Sequence, residues 1–152
     1  MAAYARQAVA RASGAGGWTV SGNDATLTTL TSFPAMASGA GGVVTYFGVG
    51  SGSSGATELD FFGTVTPTLT VVAGITPRLD TSTVVRQVTV DAMSNAAATA
   101  FLLLFFNNTA WANIGTAAGL QPSSSAGSLY LSLHTANPGE GGTQATSEIA
   151  YS

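Results

Sequence analysis

The chain contains no cysteine and no lysine, and its whole formal charge is carried by four arginines and seven acids among 152 residues. Each shortage removes a class of function. Without cysteine there is no disulfide framework, no thiolate nucleophile and no thiolate metal site, so stability must come from a packed core or from assembly. Without lysine, positive charge rests on Arg6, Arg11, Arg78 and Arg86 alone. Four scattered guanidinium groups do not release enough counterions to hold a nucleic-acid backbone, so nucleic acid is not an expected partner. Charged residues make up 7% of the chain, against about 25% in an ordinary soluble domain. Disorder is not the reason, because 45% of the residues are hydrophobic and the net charge is only -3; disordered chains combine low hydrophobicity with high charge.

What fills the surface instead is uncharged and polar: 37 residues are Ser or Thr and 19 are Gly. Such side chains hydrogen-bond water but scarcely repel a neighbouring copy, whereas a free monomer ordinarily relies on charge for solubility. Much of this surface is therefore expected to be covered in an assembly.

Strands are expected over residues 4–12 and 18–21, forming a hairpin across Gly14, Gly16 and Gly17, and over 25–33, where threonine alternates with apolar residues until Pro34. The run 43–49 is dense in β-branched and aromatic residues, as in a buried strand, and 50–56 is a Gly/Ser loop. Segments 58–65, 69–72 and 83–90 read as three further strands separated by Pro67 and Pro77, which cannot donate to a sheet ladder. Residues 129–134 alternate again, Asn137-Pro138-Gly139 is a turn, and 148–151 is a closing strand. Strands at intervals of about ten residues point to a sandwich or barrel.

One segment breaks the pattern. Ser94 is a good N-cap, and 95–106 is rich in Ala, Leu and Phe without Gly or Pro, which predicts a helix buried against the sheets or a neighbouring subunit. Its apolar part would rise about 16 Å, roughly half a bilayer core, so no membrane span is expected. Trp111, Ile114 and Leu120 read as anchors of a second short helical turn.

Residues capable of chemistry are few. His134 is the sole histidine, with no nucleophile elbow and no cysteine to pair with it, and reads as a hydrogen-bonding strut. Glu58 and Asp60 share a strand face in the manner of a glycosidase pair, a remote enzymatic option. The acids are spread singly rather than at calcium-loop spacing, and Gly48-Val49-Gly50-Ser51-Gly52 has no lysine to reach a phosphate. Asn107-Asn108-Thr109 matches a glycosylation sequon, a pattern common by chance. The arginines suit subunit contacts, since guanidinium is weakly hydrated and bonds carboxylates bidentately.

Ser128-Leu-Tyr-Leu-Ser-Leu-His-Thr-Ala-Asn-Pro-Gly-Glu140 and Gln144-Ala-Thr-Ser-Glu-Ile-Ala-Tyr151 resemble a family of small tailed-bacteriophage structural proteins. Tyr4-Ala-Arg-Gln-Ala-Val-Ala-Arg11, Gly17-Trp-Thr-Val20, Met93-Ser-Asn-Ala-Ala-Ala-Thr-Ala100 and Thr109-Ala-Trp-Ala-Asn-Ile114 look like the same family. Members are often labelled tail-fibre proteins, and related small jelly-roll proteins serve as capsid cement or decoration. The order departs from the family pattern, in which the histidine segment comes first and runs through Ser-Glu-Ile-Ala-Tyr into Tyr-Ala-Arg. The chain thus looks circularly permuted, with Met93 in the place of a start, and Tyr4 and Tyr151 are expected to lie close.

The resemblance and the pattern together imply a mainly β protein: one jelly-roll-like antiparallel sandwich domain over residues 1–152, with a buried apolar helix inserted at about 94–114. The implied role is a non-enzymatic virion protein, without cofactor or metal, assembled in the bacterial host cytoplasm. It would bind across subunits of the major capsid protein and to itself as a dimer or trimer, with no nucleic acid and no membrane. Expected contact residues are Phe101, Phe105, Phe106 and Trp111, with Arg6, Arg11 and Arg86 as orienting charges. The alternative is a tail-fibre or receptor-binding module using exposed aromatics such as Trp18 and Tyr46.

Overall fold

The computed structural model describes residues 4–57, 59–86, 94–116, 119–138 and 142–150. In chain order they form β1 (Gln7–Ala10), β2 (Trp18–Ser21), β3 (Asp24–Leu27), β4 (Thr31–Ser32), β5 (Gly42–Gly50) and β6 (Phe61–Val71). There follow β7 (Arg78–Leu79), β8 (Val84–Arg86), the helix α1 (Asn95–Asn107), β9 (Trp111–Thr116), β10 (Gly119–Leu120) and β11 (Ser128–His134). The protein is mainly β with antiparallel sheets and one helix. It divides into two compact units: residues 1–8, 30–79 and 129–152 make the first, and 9–29 and 80–128 the second.

The first unit is built on a four-stranded sheet in the order β1-β11-β5-β6, with a two-stranded ribbon of β4 and β7. Two-residue periodicity sends Leu129, Leu131 and Leu133 of β11 to one face, where they are buried with Val44, Phe47 and Val49 of β5. The opposite face of β11 carries Ser132 and His134, also fully buried. On β6 the residues alternate on either side of Pro67: Val65 and Val71 are buried, whereas Phe62, Thr64, Thr66, Thr68 and Thr70 are exposed, as is Pro67 itself. Pro67 does not divide this segment into two strands as expected. It lies within β6, after a cis Thr66–Pro67 bond, where the register with β5 shifts between Val44 and Tyr46. In the sheet order β6 has a neighbour on one side only, the position at which a strand can tolerate a residue without an N–H.

The second unit holds the sheet β2-β3-β8, the helix α1 packed on β2 and β3, and the β9–β10 ribbon. Helix α1 starts where the sequence places it: the Ser94 side chain accepts from the Ala97 N–H, and the helix ends at Asn108 in the left-handed conformation. Ala98, Leu102 and Phe106, spaced four apart, form its buried stripe, and Phe106 meets Trp18 edge-on at 4.5 Å. The rest of its apolar surface from Ala97 to Phe105 is half-buried rather than enclosed.

Three further expectations are corrected. The first two strands do not form a hairpin with each other, because β1 pairs with β11 and β2 with β3; the glycine segment between them is tied by Ala10 N–H to Gly16 O and Trp18 N–H to Ala12 O. Trp111 and Ile114 lie in β9 and Leu120 in β10, an antiparallel pair rather than a helical turn, and Gly119 has a φ of 83°, a conformation that ends a helix. In place of the closing strand, 144–147 are turns, Glu148 forms an isolated bridge with His134 and residues 149–150 belong to no strand. Glu58, residues 87–90, Met93, Gly139 and Tyr151 lie outside the described residues.

Candidate functional site

The densest polar cluster in the first unit is centred on Arg6. Its Nε donates to Glu148 Oε1 at 2.9 Å and its Nη2 to Oε2 at 2.9 Å, a bidentate ion pair with side chains only 2% and 16% exposed. The remaining donors reach Gly52 O at 3.1 Å, Gly55 O at 2.8 Å, Thr57 Oγ1 and Gln144 Oε1. Gln144 Oε1 also accepts from Thr57 Oγ1 at 2.7 Å, and its amide donates to Tyr130 O. A buried guanidinium must satisfy its charge and its five N–H groups, and here the Gly/Ser loop and the C-terminal turns supply the oxygens. The loop is thereby held at its base.

Beside this cluster stands a serine–histidine pair. Thr146 O can only accept, so at 2.8 Å His134 Nδ1 is the protonated nitrogen and Nε2, 2.8 Å from Ser132 Oγ, receives the hydroxyl proton. Burial pushes the imidazole below the ordinary histidine range. Gly48 lies against the pair: a Cβ there would come within 2.7 Å of both His134 Nε2 and Ser132 Oγ and within 2.6 Å of Leu59 Cδ1. Nucleophile, base and orienting carbonyl are aligned as in a hydrolase, but both side chains are fully buried, so in this arrangement they join β11 to the turns at 144–147. Tyr4 completes the group, its hydroxyl accepting from Leu133 N–H at 2.8 Å; burial, then the Glu148 charge, push its ionisation far above the usual value. Ile149 N–H donates to Leu133 O at 3.0 Å, so residues from both chain ends meet at Leu133.

The expected contact residues scatter. Phe106 is fully buried in the second unit and Arg6 is buried in the first. Phe101, Phe105 and Trp111 are half-buried. Arg11 caps the carboxyl end of α1, with Nε on Phe105 O at 2.6 Å, Nη2 on Leu104 O at 3.0 Å and its guanidinium 5.8 Å from the Phe105 ring. Arg86 is exposed but forms a bidentate pair with Asp24 across β8 and β3, which holds the Asp24 carboxyl below its usual range. Trp18, expected to be exposed for a ligand, is fully buried, and Tyr46 is half-buried. Asp60 is exposed, and its proposed partner Glu58 lies outside the described residues.

Sequence reasoning passed over two features. Gln144 and Ser132 give no signal as single polar letters, although Ser132 and His134 share a strand face and could have been paired on that ground. Arg78, not singled out among the arginines, is exposed at the start of β7.

Among the described residues no three His, Asp or Glu side chains gather to hold a metal ion, and no helix is long and apolar enough to cross a membrane. No family model, curated protein or solved structure matches the chain.

Proposed function

We propose that the chain is a structural, non-enzymatic protein of a tailed-bacteriophage virion, a capsid cement or decoration protein that binds across major capsid subunits and stabilises the shell. The finer architecture belongs to this reading: one jelly-roll-like sandwich domain in permuted order, working as a homo-oligomer. The ion pair between Arg6 and Glu148, which joins the two chain ends in space, is what a permuted fold needs.

The observation that carries the reading is the resemblance of the Ser128–Glu140 and Tyr4–Arg11 segments to phage structural proteins, joined to a surface nearly free of charge. On a lattice, ions caught between subunits must be stripped of water, and uncharged threonine rows such as that of β6 avoid this cost. Each contact can be modest, because repetition over the shell adds avidity. Phe101, Phe105 and Trp111 remain as apolar contact candidates.

The test is a copy count on purified particles by quantitative mass spectrometry. Hundreds of copies are expected. Tens or fewer would assign the chain to the tail, and its absence from particles would refute a virion role.

A further inference from the structure

His134, the sole histidine of the chain, is buried with both ring nitrogens committed. Nδ1 donates to Thr146 O and Nε2 accepts from Ser132 Oγ, each at 2.8 Å. A second proton on the ring must sit on Nε2, and it turns the serine hydroxyl away. On the Gly48 side there is no room for a water to take that hydroxyl, since a carbon placed there would lie within 2.7 Å of Nε2 and Ser132 Oγ and 2.6 Å of Leu59 Cδ1. The groups facing the imidazole are Tyr46, opposite it on β5, Tyr130 on its own strand, Tyr4 and Arg6 from ahead of β1, and Glu148 from the segment 142–150. Of these only Glu148 is an anion, and both its oxygens are taken by Arg6, so a proton on His134 adds a buried charge beside an already neutral pair. Burial is the largest influence holding the imidazole below its ordinary range, and Arg6 acts the same way against Thr146 O and Glu148.

The carbonyl that His134 holds belongs to a segment fixed by separate single bonds rather than by a ladder. Gln144 N–H donates to Thr57 O at 3.0 Å, Thr135 N–H to Ser147 O at 2.9 Å and Ile149 N–H to Leu133 O at 3.0 Å, with one isolated bridge at Glu148. Ala145, Ser147 and Ala150 are exposed. The 50–57 loop hangs on the same cluster: Gly52 N–H donates to Gln144 Oε1 at 3.2 Å, and Gly52 O and Gly55 O accept from Arg6. Lifting 142–150 from the sheet hydrates the imidazole, and it returns Arg6 and Glu148 to water together, so no charge is stranded. The cost is the exposure of Gln144 and Ile149. Leu129, Leu131 and Leu133, on the other face of β11, keep their packing, which makes a local opening the cheaper response to a buried proton.

We propose that His134 is an acid-operated latch: its protonation frees residues 142–150 together with the 50–57 loop, while the sheet β1-β11-β5-β6 stays paired. The inference stands on the first unit alone and is independent of the virion reading. In the open form the imidazole recovers its ordinary value of about 6.5, so at pH 5.5 its protonated form outnumbers the neutral one by about ten to one. Opening is therefore favoured by up to about tenfold at pH 5.5 relative to pH 7.5, and the latch is fully shut above about pH 6.5.

The experiment is amide hydrogen exchange of the purified full chain at pH 7.5 and 5.5, read by mass spectrometry and corrected for the intrinsic pH dependence of exchange. Protection over 142–150 and 50–57 is expected to fall by about tenfold at the lower pH, with 43–49 and 129–134 unchanged. A fall below about threefold overturns the latch, as does an even loss of protection over the whole chain, which is global unfolding. His134→Asn should remove the pH response of both segments, and a response equal to that of the unmodified chain refutes the role of the imidazole. Should that variant fail to fold, the unmodified chain still decides the matter, because its one histidine gives a single imidazole signal in nuclear magnetic resonance. Titration of that signal below about 6.5 supports the latch, and titration at or above this value overturns it.

Discussion

Removing the Arg6 guanidinium is the sharpest perturbation of the first unit. Arg6→Ala leaves the Glu148 carboxylate facing its own cluster, the carbonyls of Gly52 and Gly55 without a donor, and Gln144 and Thr57 without their cationic partner. Breaking a buried ion pair by deleting one member costs about 3–5 kcal/mol. Glu148 is 16% exposed and can recover some hydration, which places the expected loss near the lower end, about 3 kcal/mol. That is a large part of the roughly 5–15 kcal/mol that holds a domain folded. At about 2–4 °C per kcal/mol for a chain of this size, the melting temperature should fall by about 6–12 °C. Arg6→Lys should not rescue it, because one ammonium cannot span a bidentate carboxylate and two separate carbonyls. Arg6→Met combined with Glu148→Leu should recover part of the loss, since no buried charge is then stranded. Urea unfolding followed by near-ultraviolet circular dichroism gives the free energies. A cost below about 1 kcal/mol for Arg6→Ala would mean that the cluster is solvated and the reasoning wrong.

Gly48→Ala should cost about 1–3 kcal/mol, because the added carbon meets His134 and Ser132 inside contact distance; an unchanged unfolding midpoint would show that the pair has room to move. Stability should also respond to mild acid. The buried imidazole of His134 takes up a proton less readily than it does in the unfolded chain, so its contribution is complete above the ordinary histidine value of about 6.5 and declines as the pH falls below it. The measurement is the unfolding free energy from about pH 7.5 to 5.5 beside that of His134→Asn, and parallel profiles would refute the assignment.

Some of this was readable before any coordinates. The β-branched run at 43–49, the alternation of 129–134 and the Ser94 cap each carry their signal in a few adjacent letters, and β5, β11 and α1 formed there. What failed depended on distant partners. Whether Pro67 interrupts a strand is decided by whether that strand lies at a sheet edge, and whether Trp18 is exposed is decided by a helix some eighty residues later. The same holds for the charges: Arg6, Arg11 and Arg78 look alike in the sequence, and only their surroundings separate a buried anchor, a helix cap and an exposed cation.

The order in which the first unit is threaded bears on how the protein is made. Its sheet runs β1-β11-β5-β6, so β11, the latest of the four in sequence, enters between two that were synthesised earlier. Until β11 arrives, β1 and β5 each present an open edge, and the pairing of β11 with β5 joins segments far apart in the chain, which slows folding. A nascent chain stopped before residue 128 cannot close this sheet, because the first unit draws on residues 1–8, 30–79 and 129–152. Completion of the first unit therefore waits for β11, and a product shortened before it would be left with unpaired edges open to aggregation rather than passing as a smaller folded protein.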